Sequence, residues 1–92
     1  MSGRRYVIEE NLVRTLKKLF KSDKEMYEAV VSKIEEIVSS PDIEHYKNLR
    51  VPLQNYKRVH IMKSFVLLFT YLKAEDKVYF TALEHHDKVY KN

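Results

Sequence analysis

The apolar pattern of this chain changes period at Pro41, and that change restricts the fold more than any other feature. Ahead of it, Leu12, Val13, Leu16, Leu19 and Phe20 stand at i, i+1, i+4, i+7 and i+8, which gathers them on one face of an amphipathic helix and leaves Arg14, Lys17 and Lys18 on others. Ser22-Asp23-Lys24-Glu25 then reads as a capping box, the Ser22 hydroxyl and the Glu25 carboxylate satisfying free amides at the start of a second helix. Met26, Val30, Ile34, Ile37 and Val38 mark that helix's buried stripe, and Pro41 stops it by disfavouring helical geometry at Ser40. The two helices are expected to form a hairpin.

Beyond Pro41 the period is two. Leu49 and Val51 alternate with polar neighbours, and in Tyr56 to Met62 the residues Val59 and Ile61 share one face while Tyr56, Arg58, His60 and Met62 share the other. Phe65 to Leu72 is apolar on both faces, as a central strand requires, and Lys73 to Lys77 is a polar turn into Val78 to Glu84. Arg5 to Ile8 offers one further strand. The expected fold is α+β, a helical hairpin packed on one face of a three- to four-stranded, mainly antiparallel sheet whose other face carries Arg58 and His60.

Ninety-two residues with one Gly and 45% apolar content fit a single folded domain, 1–92, with no room for a second. Cysteine is absent, which removes disulfides and thiolate metal sites and suits a reducing compartment. The basic start, Met1 to Tyr6, runs into a mixed stretch without the apolar core of a signal peptide, and Phe65 to Phe69 is too short to span a bilayer. The expectation is a soluble cytoplasmic protein without a membrane partner.

Charge is unevenly placed. Residues 1–44 and 75–92 each carry one more carboxylate than base, whereas 45–74 hold six bases and no carboxylate, more than the whole net charge of +4. Lys47, Arg50, Lys57, Arg58, Lys63 and Lys73 thus form a basic stretch suited to phosphates, or a solvated rim. The last strand runs into Glu84-His85-His86-Asp87, with Tyr90 after it, a cluster of imidazoles, a carboxylate and a phenol that packing alone does not require. As strand neighbours His85 and His86 point oppositely, so one of them faces any site, and His86 is preferred; Asp87 either orients a histidine or is a surface carboxylate. Metal binding by His60, His85, His86 and Asp87 lacks any supporting spacing, so neither metal nor cofactor is expected.

The order of elements resembles the RelE/ParE superfamily of toxin-antitoxin toxins over nearly the whole chain. The residues that carry the likeness are Lys47-Asn48-Leu49, Arg58-Val59-His60-Ile61, Ser64 to Phe69 and His86 to Tyr90. Within it the spacing of His60-Ile61, Ser64-Phe65 and His86-x-x-x-Tyr90 is closest to the RelE/YafQ-like mRNA interferase branch. That resemblance implies a small cytoplasmic endoribonuclease that cuts messenger RNA in the ribosomal A site and is neutralised by a cognate antitoxin. It implies site places for His60, Phe65, His86 and Tyr90, with Lys47 where the branch has a His and Ser64 where it has an Asp. A ParE-like toxin acting by protein contact on a topoisomerase, or a degenerate toxin that only binds its antitoxin, are the alternatives.

RNA cleavage by internal attack needs a base for the 2'-hydroxyl, charge stabilisation at phosphorus and an acid for the leaving 5'-oxygen. His60 and His86 are the candidates for acid and base, with Arg58 on the phosphate; Lys47 and Lys63 would hold flanking phosphates, and Phe65 and Tyr90 would stack on bases. Each also has a plainer reading: an exposed strand histidine at His60, a core ring at Phe65 and a core-edge ring at Tyr90.

Overall fold

The computed structural model describes residues 3–49 and 55–90, Tyr90 in its backbone alone; Arg50 and Val51 of the expected basic and alternating stretches lie outside them. The order is β1 (Arg5–Ile8), α1 (Glu10–Ser22), α2 (Lys24–Ser39), a 3-10 turn (Ile43–His45), β2 (Lys57–Ile61), β3 (Phe65–Leu72), β4 (Lys77–His85) and α3 (His86–Tyr90). The four strands lie in the order β1-β4-β3-β2, antiparallel except for β1, which pairs parallel to β4 from Arg5 opposite Lys77 to Ile8 opposite Phe80. The α+β expectation holds, with the fourth strand supplied by Arg5–Ile8.

Burial follows the two periods. Leu12 from α1, the stripe Met26, Val30, Ile34, Ile37 and Val38 from α2, and Ile61, Leu67, Phe69, Val78 and Phe80 from the sheet form one buried cluster. At roughly 1.5–3 kcal/mol for each large apolar side chain buried, this contact between helices and sheet is the main source of stability. Lys57 belongs to the same sheet face as Val59 and Ile61, and it is buried there: its ammonium donates to the Tyr46 carbonyl at 3.0 Å and to Asn48 Oδ1 at 3.2 Å, and pairs with Glu44 at 3.3 Å. Lys57 therefore leaves the expected basic surface. An ammonium on the core face is tolerated because two oxygens and a carboxylate replace its water.

The start of α2 also differs from the capping-box expectation. Ser22 is the last residue of α1, its hydroxyl donating to the Lys18 carbonyl at 2.9 Å, and the cap is Asp23, whose carboxylate accepts from the Met26 amide at 3.1 Å. Asp23 also ends α1, its amide donating to the Leu19 carbonyl, so a one-residue link leaves Ser22 no room outside a helix. Asp23→Ala is expected to lower stability by about 1 kcal/mol in urea unfolding, with Ser22→Ala near neutral. Pro41 acts as expected: Ser40 is extended, at ψ 132°, and α2 stops at Ser39.

Three polar contacts fix the far end of the hairpin. Arg4 binds Asp76 at 3.0 Å and reaches the Ser40 carbonyl, while the Tyr71 hydroxyl donates to Asp76 at 2.7 Å. Nearby, the Tyr46 hydroxyl donates to Glu36 at 2.9 Å. Burial first, then that bond, pushes the Tyr46 phenol up to about 12. A phenol with a raised pKa stabilises the fold fully below its unfolded value of about 10 and loses that contribution as pH climbs toward the folded one. Urea midpoints should therefore fall between pH 10 and about 12 more steeply for the wild type than for Tyr46→Phe.

Candidate functional site

The site lies on the sheet face away from α1 and α2. In β2 alternation puts Arg58 and His60 on that face, and their register partners on β3, Leu68 and Val66, continue it to Ala82 and Glu84 of β4. Val66 is wholly buried yet stands outside the core between helices and sheet, because α3 folds back over this end of the open face. The turn into α3 is held by the His86 amide, which donates to the Ser64 carbonyl at 2.6 Å. That bond is the last of the antiparallel ladder between β3 and β4, and His86 is at the same time the first residue of α3.

The consequence is a pair of imidazoles. The rings of His60 and His86 lie 5.3 Å apart between centroids, tilted by 32°. His85 goes the other way, as alternation at the end of β4 directs, its ring edge-on to Phe65 at 5.4 Å. Asp87 lies between both, with carboxylate oxygens 3.8 Å from His86 Nδ1 and 3.9 Å from His85 Nδ1. Both distances are beyond hydrogen-bond length. The Asp87 amide donates to His85 Nδ1 at 3.2 Å, which holds that ring in place.

Basic groups border the pair. Asn48 bridges Lys57 in antiparallel register, and the Arg58 amide donates to the Lys47 carbonyl at 3.0 Å, so Lys47 stands opposite Arg58 on the open face at the sheet's edge. Arg58 is half-buried, with its Nε shielded from solvent, whereas the Lys47 side chain is exposed. Arg58, His60, His86 and Lys47 are thus brought to one side.

Lys63 and Phe65 are placed elsewhere. Phe65 pairs with Ile61 and His85 on the helix side of the sheet and packs against the core. With Lys63, Ser64, Met26, Met62, Asp23 and Glu25 it lines a separate cavity of about 580 Å³ at the end of the sheet. The sequence signal that assigned Phe65 to the core, an apolar strand on both faces, is the one the structure follows. Tyr90 is the last residue of α3, and its side chain is outside the described residues.

Glu84 is the group that strand reading passes over. It shares a row with His60 and Val66 on the open face, about two strand spacings or ~10 Å across the sheet, and pairs with Lys88 at 3.7 Å. Alternation in β4 from the buried Val78 and Phe80 would have placed it wrongly, because the register shifts by a bulge between Leu68 and Phe69. Among the described residues no three His, Asp or Glu side chains converge closely enough to hold a metal ion, and no helix is long and apolar enough to cross a membrane.

The fold and its relatives agree. No family model matches the chain. Over 84 residues, 91% of this chain and 87% of the other, it is 49% identical to "Putative toxin RelE4" of Methanocaldococcus jannaschii. The chain belongs to the RelE toxin family. Its fold matches that seen in the toxin-antitoxin complex RelBE2 from Mycobacterium tuberculosis, with a TM-score of 0.72 and 20% identity over 94% of each chain. YafQ from E. coli aligns with a TM-score of 0.62 and 12% identity over 95% of this chain and 98% of its own. In this RelE-family chain Ser64 meets His86 through its backbone carbonyl.

Proposed function

We propose that this RelE-family chain is a ribosome-dependent endoribonuclease that cuts messenger RNA in the A site, and that a cognate antitoxin holds it inactive in the cytoplasm. The observation that carries this reading is the approach of His60 and His86 from a strand and a helix, beside Arg58 and Lys47. Imidazole exchanges protons near neutral pH, and two of them within one ring width supply an acid and a base on either side of one phosphodiester. One removes the 2'-hydroxyl proton. The 2'-oxygen then forms a bond to the adjacent phosphorus, the bond from phosphorus to the 5'-oxygen breaks, and the other imidazole protonates that oxygen. Arg58 holds the charge on the phosphoryl oxygens and Lys47 a neighbouring phosphate.

Asp87 is the carboxylate nearest to the pair, and it stands where it stabilises the imidazolium that forms on His86. Lys63, exposed in the turn between β2 and β3, would meet the message beyond the scissile bond, and Tyr90 would stack on a base. Ser64 favours one second reading, a degenerate toxin that binds its antitoxin without cutting. Primer extension on a translated message separates the two: A-site stops that depend on this protein and on His86 support the nuclease, and their absence supports the degenerate form.

A further inference from the structure

One basic group beside the site has no part in the chemistry described above. Lys57 is 5% exposed, on the core face of β2, although a buried ion pair adds little to stability over an apolar side chain of the same volume. Its partners show what else it does. The Lys57 ammonium donates to the carbonyl of Tyr46 at 3.0 Å and to Oδ1 of Asn48 at 3.2 Å, the residues on either side of Lys47, and pairs with Glu44 at 3.3 Å.

Lys47 sits on a weakly specified edge. Among the described residues its segment pairs with β2 through one bridge, Asn48 opposite Lys57, bounded by the Arg58 amide on the Lys47 carbonyl at 3.0 Å and the Leu49 amide on the Tyr56 carbonyl at 2.9 Å. Facing residues of an antiparallel pair point to the same side, so Asn48 and Lys57 take the core side while Lys47 and Arg58 take the open one. A slip of one residue would reverse this and turn Lys47 away from the site. Apolar burial does not prevent the slip: Tyr46 and Leu49 are both buried, yet they stand three residues apart and so on opposite faces of an extended segment. The ammonium beneath does, because its two acceptors lie where only this register puts them.

We infer that Lys57 is a positioning residue for RNA cleavage, its buried ammonium fixing the register of the Tyr46 to Asn48 segment so that Lys47 stands beside Arg58 on the open face. The inference rests on the nuclease reading above and adds the group that keeps its flanking-phosphate contact in place. Lys57 touches no RNA. Fixing register is the best-attested use of a buried charge, and here it explains a cation on the core face without asking it to stabilise the fold.

The test measures cleavage of a translated message by Lys57→Met, Lys47→Ala and the double variant. In Lys57→Met the KM for programmed ribosomes should rise about five- to tenfold with kcat within about twofold, because Lys47 holds a flanking phosphate and not the reacting atoms. The dependence of log KM on log salt should become shallower by about 0.7, one phosphate contact on a single strand. Lys47→Ala should show the same split, and adding Lys57→Met to it should change KM less than about twofold, since the two act through one side chain. Hydrogen exchange read by NMR should quicken about tenfold at the Arg58 and Leu49 amides and stay unchanged in β3 and β4. Asn48→Ala removes an exposed partner of the ammonium, and it should raise KM about two- to fourfold at an unchanged thermal midpoint; it carries the test where Lys57→Met fails to fold.

A KM at the wild-type value in Asn48→Ala and Lys57→Met would overturn the proposal. So would effects of Lys57→Met and Lys47→Ala that multiply in full, or exchange that quickens across the whole sheet, either of which makes Lys57 a packing residue of the fold. If the wild type cuts no message the nuclease reading fails; faster exchange confined to Arg58 and Leu49 then supports the register clamp, and unchanged exchange there overturns it as well.

Discussion

His86→Ala should lower the rate of A-site cleavage by ~10²–10⁴-fold, the usual contribution of a positioned proton-transfer group. The side chain is 42% exposed and its structural anchor is its backbone amide on Ser64, so the variant should keep the circular dichroism spectrum and thermal midpoint of the wild type. His60→Ala should cost a similar factor, and the double variant little more than either alone, because acid and base act in one step and their losses do not add. Arg58→Ala belongs to the same series. Arg58→Lys should recover part of the loss, since a single ammonium replaces a forked guanidinium on the phosphate. Cleavage at the wild-type rate by a folded His60→Ala, His86→Ala protein would show that this pair of rings is not the catalytic centre.

The largest effect on stability should come from Phe69→Ala. Phe69 is fully buried on β3, its ring 5.7 Å from Phe80 and 5.7 Å from Tyr46, so it joins the sheet to the segment that follows α2. Truncation of a buried Phe costs ~3–5 kcal/mol, the lost transfer energy plus the cavity left behind. Domains of this size have only ~5–15 kcal/mol in total. The urea midpoint should therefore collapse while the slope of the transition is retained, and much of the protein should be unfolded at 37 °C. A loss below about 1 kcal/mol would mean that the core closes over the gap, contrary to close packing at this ring.

The parts of this fold that are legible in the sequence are those set by local periodicity. The α2 stripe, the stop at Pro41, the two-sided apolar β3 and the shared face of Arg58 and His60 all follow from 3.6- and 2-residue repeats. What escaped depends on contacts between distant segments. Lys57 alternates with Val59 and Ile61, but its charge argues for the surface until Tyr46, Asn48 and Glu44 are seen to surround it. Alternation past His85 gives the side on which His86 lies, but only the pairing of β2, β3 and β4 brings its ring to His60. Glu84 is moved to the open face by a bulge that no composition announces. Phe20 fits the helical repeat of α1 yet is left exposed, and the pattern alone does not distinguish it from a side chain that meets the sheet.

The parallel pairing of β1 with β4 has a bearing on how the toxin becomes dangerous. Arg5 finds its place beside Lys77, so an edge of the sheet waits for a strand made long after it, and pairings of such long sequence separation are slow to form. His86 comes later still, directly after β4. A nascent chain therefore acquires its helical hairpin well before it can bring the rings of His60 and His86 together.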